Sequence, residues 1–240
     1  QGGGHGEGGH ADGRVSRAGE LVAAGDRRVI GVDESGKGDF FGPLVVAALA
    51  APDSALADLK GLGVRDGKGI ADRRLLTIDE QLRRAYPFAV EIMPPEEYNR
   101  AYEKIRNLNR LLADLHARAI DRLLRDHPAD LVVVDQFGKT ALVAEAVAFH
   151  GHSVALEQRF RAEEIPQVAA ASIIARAEFI RQLQTLSREM GVELPKGAAA
   201  IVDRAGAALV RQHGRDILRK TAKIHFKNYQ RVINPSLFPS

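Results

Sequence analysis

The stretch from Arg28 to Ala50, RVIGVDESGKGDFFGPLVVAALA, constrains the fold more than any other part of the chain. It opens on the apolar run Val29 to Val32, which has the pattern of a buried strand. Two adjacent carboxylates follow, Asp33 and Glu34, and then Ser35-Gly36-Lys37-Gly38-Asp39. A second apolar run, Leu44 to Leu49, starts behind Gly42-Pro43, and proline suits a strand's edge or first residue. Two strands joined by a short glycine-rich connection predict a hairpin. Burying unpaired charge is costly, so an acid pair at a strand end calls for a partner. A metal ion is one such partner, and carboxylate oxygens suit Mg²⁺ or Mn²⁺.

Downstream, Pro52 to Gly69 reads as a loop-rich connection. Ala71 to Ala85 is a predicted helix with Leu75, Ile78 and Leu82 on one face. Phe88 to Met93 reads as a third strand, stopped by Pro94-Pro95, which also suit a helix's first turn. A single long helix is expected from Glu96 to Asp126, ended by His127-Pro128. Leu131 to Asp135 is the clearest buried strand, and it too ends in a carboxylate. A helix from about Lys139 to Phe149, a short strand from Val154 to Leu156, and helices over Pro166–Met190 and Ala198–His213 complete the pattern. Helices alternating with strands after three strands in a row predict an α/β fold: a mixed central sheet flanked by helices, with a helical C-terminal region.

At 240 residues and 45% hydrophobic, the chain can bury one sizeable core. Seven glycines with His5 and His10 crowd the first thirteen positions, so residues 1–26 read as a flexible tail and 27–240 as one catalytic domain. Leu21 to Ala24 suits a short helical turn within that tail. The absence of cysteine excludes disulfides, thiolate metal sites and a cysteine nucleophile. No run approaches the 18 apolar residues of a membrane span, and the N-terminus lacks the apolar core of a signal peptide. A cytoplasmic monomer is the expectation. The net charge is only +3, yet Arg204 to Arg231 carries Arg204, Arg211, Arg215, Arg219, Lys220, Lys223, Lys227 and Arg231 against Asp216 alone. That asymmetry suits a polyanion, or equally a solvated helix face.

Functional groups gather at strand carboxyl ends, and both Asp33 and Asp135 sit there. A single such Asp is most often a turn or cap residue. Two strands ending this way, one with a second acid and a basic glycine loop, point instead to two-metal phosphoryl chemistry. Successive strand residues face opposite ways, so Glu34 joins Asp33 only if the strand is already ending. A rival reading takes Gly31 to Gly38, GVDESGKG, as a G-x-x-x-x-G-K phosphate loop. Gly38 stands where Ser or Thr should hold Mg²⁺, and Asp33 and Glu34 would repel the phosphates.

GVDESGKGDFFGPL resembles the signature of prokaryotic type 2 ribonucleases H, and its GKGD and FGPL forms resemble ribonuclease HIII. YNRAYEKIRNLNRLLADLHARAI from Tyr98, VVVDQF from Val132, RAEEIPQVAAASIIAR from Arg161, LPKGA from Leu194 and KIHFKN from Lys223 agree in order, over roughly residues 28 to 230. The resemblance implies an RNase H-like fold. It also implies hydrolysis of the RNA strand of RNA–DNA hybrids with two Mg²⁺ or Mn²⁺ ions, leaving 5′-phosphate and 3′-hydroxyl ends. The alternatives are incision at single ribonucleotides in duplex DNA, as in ribonuclease HII, and hybrid binding without catalysis. The family's catalytic and metal-holding carboxylates fall on Asp33, Glu34, Asp135 and Glu163. The fourth is Asp in ribonuclease HII and Glu in HIII. Glu164 is its rival, and the RAE-to-AAASI spacing favours Glu163.

By the same resemblance Gly36, Lys37 and Gly38 meet the ribose 2′-OH, where glycines permit close backbone approach and the hydroxyl tells RNA from DNA. Lys68, in Asp66-Gly67-Lys68 rather than the usual Asp-Ser-Lys, matches a lysine near the phosphates. Asn107, with Asn109, falls in a motif near the cleft, and Lys196 and Lys227 complete the expected substrate contacts. Ser172 in its Ala-rich run suits close packing, His116 reads as a helix-packing residue, and His225 joins the basic tail. Ribonuclease HIII normally carries an N-terminal substrate-binding domain where this sequence has a Gly-rich segment. Weaker binding of long hybrids is therefore expected, with the basic C-terminal segment carrying more of the phosphate contact.

Overall fold

The computed structural model describes residues 26–64, 69–136, 140–149, 151 and 154–234. Five strands form one sheet in the order β3-β2-β1-β4-β5. They are β1 (Arg28–Ser35), β2 (Leu44–Pro52), β3 (Phe88–Met93), β4 (Leu131–Asp135) and β5 (Ala155–Arg159). The first three are antiparallel neighbours, and β4 and β5 join β1 in parallel. The helices among the described residues are α1 (Leu56–Gly61), α2 (Asp72–Ala85), α3 (Pro95–Ile105), α4 (Leu108–Asp126), α5 (Thr140–Phe149), α6 (Pro166–Met190), α7 (Ala200–His213), α8 (Ile217–Thr221) and α9 (Lys227–Ile233). The expected mixed sheet flanked by helices, with a helical C-terminal region, is what forms.

Strand periodicity of two sorts the core into layers. Ile30 and Val32 of β1, Leu44, Val46 and Ala48 of β2, and Val132 and Val134 of β4 pack against α4. Val45, Ala47 and Leu49 of β2 face the other way, onto α6 and α2. The central strands are thus buried on both faces, which explains their unbroken apolar runs. Helix α6 lies on β1 because of small residues. Gly31 meets it, and a Cβ there would come 2.2 Å from the Gln167 backbone carbon. Ala169, Ala170 and Ala171 continue the close contact.

Three expectations need correction. The helix foreseen over 96–126 is two, because Arg106 adopts a left-handed backbone at φ 48° and Asn107 caps α4, its Oδ1 accepting the Arg110 N–H at 3.2 Å. The connection after β2 holds the short helix α1. Strand β1 does not end at Asp33 but pairs with β2 through Ser35. The phosphate-loop reading fails for the same reason, since Gly31 to Ser35 is strand.

Candidate active site

The register that pairs Val32 of β1 with Val134 of β4 sets Asp33 beside Asp135, on strands about 4.8 Å apart. Both are in phase with the residues facing α6. Helix α6, fixed on β1 at Gly31, brings the Ser172 hydroxyl to the Asp33 carboxylate as a donor. Ser172 is therefore more than the small packing residue expected. Burial, the Glu34 charge and the nearby Asp135 together push the Asp33 carboxyl up to about 7, against the lowering effect of Ser172 and the Glu34 N–H. That N–H donates to Asp33 Oδ1 at 2.7 Å. Asp135 Oδ1 accepts the Ala162 N–H at 2.9 Å, so the turn Ala162–Glu164 is tied to the end of β4. Glu163 is half-buried in that turn and Glu164 is exposed.

Because β1 continues through Ser35, Glu34 points to the opposite face, toward α4. There His116, fully buried, places Nε2 3.3 Å from Glu34 Oε2, and Lys37 Nζ lies 3.5 Å from Oε1. Burial works to raise the Glu34 carboxyl, but His116 and Lys37 outweigh it and hold it below the usual carboxylate range. The expectation of His116 as mere helix packing misses this contact. Its signal is in the sequence all the same: His116 stands four residues from both Leu112 and Ile120, a lone imidazole in the buried stripe of α4.

Beyond Ser35 the chain turns at Gly36, where φ is +89° and a Cβ would lie 2.2 Å from the Pro43 carbonyl oxygen. Gly38 sits at the exposed tip, with nothing within 4 Å of where a Cβ would stand. Asp39 closes the turn, its N–H donating to Gly36 O at 3.3 Å and its Oδ1 accepting the Gly197 N–H at 2.6 Å. Lys196, next to Gly197, is exposed and pairs with Asp72 at 2.7 Å. Lys227 is exposed at the start of α9, and Asn107 is exposed at its cap position. Lys68 lies outside the described residues, as does the glycine- and histidine-rich N-terminus with its Leu21–Ala24 turn.

The basic C-terminal segment is not the single phosphate-facing surface that its composition suggests. Lys223 is completely buried, and burial pulls its ammonium down to about 7. Arg231 pairs with Asp203 at 2.6 Å, Arg219 pairs with Glu103, and Arg215 donates to the Ile233 carbonyl. His225 stacks on Tyr102 at 4.3 Å between ring centres. Lys220 and Lys227 remain exposed.

No three His, Asp or Glu side chains among the described residues converge as a ready-made metal cage. The donor set nevertheless fits a hard cation: it is all oxygen, and the burial and neighbouring acids that raise Asp33 impose a cost that a divalent ion relieves.

The ribonuclease HII family model matches residues 30–229. The chain belongs to the ribonuclease HII/HIII family. Ribonuclease HIII of Protochlamydia amoebophila is 39% identical over 204 residues, spanning 85% of this chain and 68% of that protein. Ribonuclease HIII of Bacillus licheniformis is 39% identical over 215 residues, spanning 87% and 68%. The crystal structure of Bst-RNase HIII in complex with Mn²⁺ superposes with a TM-score of 0.83 at 33% identity, covering 89% of this chain and 71% of that one. The fold is thus the RNase H-like fold of ribonuclease HIII, and the protein is a ribonuclease of the H type. Among the described residues, no helix is long and apolar enough to cross a membrane.

Proposed function

We propose that this ribonuclease cuts the RNA strand of RNA–DNA hybrids internally, leaving 5′-phosphate and 3′-hydroxyl ends, with residues 27–240 acting as one catalytic unit. Asp33, Asp135 and Glu163 would hold two divalent ions, Mg²⁺ or Mn²⁺, while Glu34, expected among them, faces α4 and acts through its charge. The observation that carries this reading is Asp33 beside Asp135 near the carboxyl ends of two adjacent parallel strands, where burial and the neighbouring acids push Asp33 up to about 7. Bound there, the ions supply the Lewis acidity and charge neutralisation that phosphodiester hydrolysis needs.

The chain's own groups do the positioning. The Ser172 hydroxyl and the Ala162 N–H each occupy one acceptor position on Asp33 and Asp135, fixing which oxygens remain for a cation. Burial lowers the local dielectric and strengthens the attraction of both carboxylates for positive charge. Glu34, kept ionised by His116 and Lys37, adds negative charge from the other face. Gly36, Lys37 and Gly38 form the loop next to Asp33, where backbone groups approach the ribose closely enough to meet a 2′-OH. Lys68, Lys196 and Lys227 contribute positive charge toward the phosphates, and Asn107 a polar contact at the cleft edge.

The test is cleavage of an end-labelled hybrid with Mg²⁺ or Mn²⁺, beside Asp135→Asn and a chelator control. Internal cuts in the RNA strand, lost in both controls, are expected. A hybrid left whole under both metals would refute the reading. A duplex carrying one ribonucleotide, run in parallel, separates hybrid cleavage from single-ribonucleotide incision.

A further inference from the structure

The loop that follows Asp33 and Glu34 is held from behind by a buried cation. Lys223 has no exposed surface, and its Nζ donates to the carbonyls of Asp39 at 2.9 Å and Gly42 at 2.7 Å. Its backbone N–H donates to Phe40 O at 2.8 Å, and Gly42 N–H donates back to Thr221 O at 3.0 Å. A β-bridge joins Phe41 to Ala222. The segment carrying Lys223 is itself anchored to α3. The Asn99 amide donates to the carbonyls of Arg219 and Ala222 and accepts the Ile224 N–H.

The Asp39 carboxylate is the nearby charge that favours the ammonium, and burial outweighs it. Asp39 Oδ1 is meanwhile engaged with the Gly197 N–H. A hydrocarbon of similar length would fill the same space and leave both carbonyls without this donor. The ammonium also lies 5.8 Å from the centre of the Tyr98 ring, which offsets part of its desolvation. What it supplies, and a hydrocarbon cannot, is two simultaneous hydrogen bonds that fix the Asp39 and Gly42 carbonyls together. Fixing Asp39 O and Gly42 O sets the exit of the turn whose entry is Gly36 and whose tip is Gly38. Asp39 N–H to Gly36 O closes that turn on itself.

We propose that Lys223 is a positioning residue for ribose recognition: it holds the 36–42 loop in the shape that reads the RNA strand, without touching the substrate. This rests on the reading that Gly36 to Gly38 meets the 2′-OH. In this arrangement the C-terminal segment contributes to specificity through the loop it clamps. Phosphate contact is left to the exposed cations.

The experiment measures binding by fluorescence anisotropy in an Asp135→Asn background, where cleavage is blocked. The probes are an RNA–DNA hybrid and a DNA duplex of the same sequence. Lys223→Met should weaken hybrid binding about tenfold or more and leave DNA-duplex binding within about twofold. The chain has no cysteine, so Lys223→Cys carries a unique thiol. Aminoethylation of that thiol in the unfolded chain, followed by refolding, rebuilds an ammonium of lysine length and should restore hybrid binding. If Lys223→Met does not fold, the unmodified Lys223→Cys protein gives the same comparison with no amine to donate. Equal weakening on both duplexes, or no weakening on either, would overturn the inference. Failure of the aminoethylated protein to recover while its circular dichroism is native would do the same. Equal affinity of the parent protein for the two duplexes would instead overturn the ribose reading itself, and the inference with it.

Discussion

His116 Nε2 lies 3.3 Å from Glu34 Oε2, across the contact between α4 and β1. The imidazole is fully buried and is one of the two groups that keep the Glu34 carboxyl low. His116→Ala removes that support and opens a cavity, so two effects should appear together. Stability should fall by about 2–4 kcal/mol in urea unfolding. The acidic limb of the pH–rate profile for hybrid cleavage should move to higher pH as Glu34 becomes harder to ionise. An unmoved limb in a folded variant would show that Glu34 does not depend on this contact.

The Asp33 carboxyl stands at about 7 in the folded chain and at 3.8 in the unfolded reference. The folded state therefore binds the extra proton between these values, and stability falls as pH rises through that window. In the presence of chelator, Tm should drop between about pH 4 and pH 7, and this contribution should flatten above it. The effect is at most about 4 kcal/mol. Asp33→Asn should remove this part of the slope, so the difference between the two Tm–pH curves isolates it. Added Mg²⁺ or Mn²⁺ should raise the Tm of the parent most near and above pH 7, where the carboxylate is ionised.

Asp79 is fully buried in α2 and accepts from Arg83 Nε at 2.8 Å and Arg181 Nη2 at 2.5 Å, pinning α2 to α6. Both arginines are partly exposed and also reach Glu178, so they are not stranded when Asp79 is removed. Asp79→Ala should cost about 3 kcal/mol, mainly two charge-assisted hydrogen bonds. Urea unfolding measures it, and a loss under about 1 kcal/mol would mean that the pair is offset by its own desolvation.

Two glycines should separate folding from recognition. Gly31→Ala forces a methyl to within 2.2 Å of the Gln167 backbone, so α6 must lift from β1 and carry Ser172 away from Asp33. A loss of about 3 kcal/mol or more, or failure to fold, is expected. Gly38→Ala meets nothing within 4 Å and has no left-handed backbone to strain. Its Tm should stay within about 2 °C, while KM for the hybrid rises if the backbone there approaches the ribose.

Much of the fold is legible because the central strands are buried on both faces and read as continuous apolar runs, as in Val29–Val32 and Leu131–Val134. Asp33 and Asp135 are legible as a pair because each follows such a run. The break at Arg106 is hidden, since an Arg in a left-handed backbone has no composition signal and Asn107 caps only once the turn exists. The basic tail misleads for a different reason. Charge counting treats Lys223 and Lys220 alike, and only the tertiary structure buries the first and leaves the second at the surface. Pattern alone brings Glu34 into use only where the strand ends, whereas the fold lets the strand continue and gives the acid its own partners, His116 and Lys37.

The clamp between Lys223 and Gly42 also has a consequence for the order of synthesis. Its two ends are 181 residues apart in sequence. A chain emerging from the ribosome presents the 36–42 loop first and the ammonium that fixes it only 181 residues after Gly42. The sheet, whose last strand ends at Arg159, is complete well before that. The strands that carry Asp33 and Asp135 can therefore stand side by side while the loop beside them is still unclamped, and the ribose reading proposed for that loop can come only after the sheet.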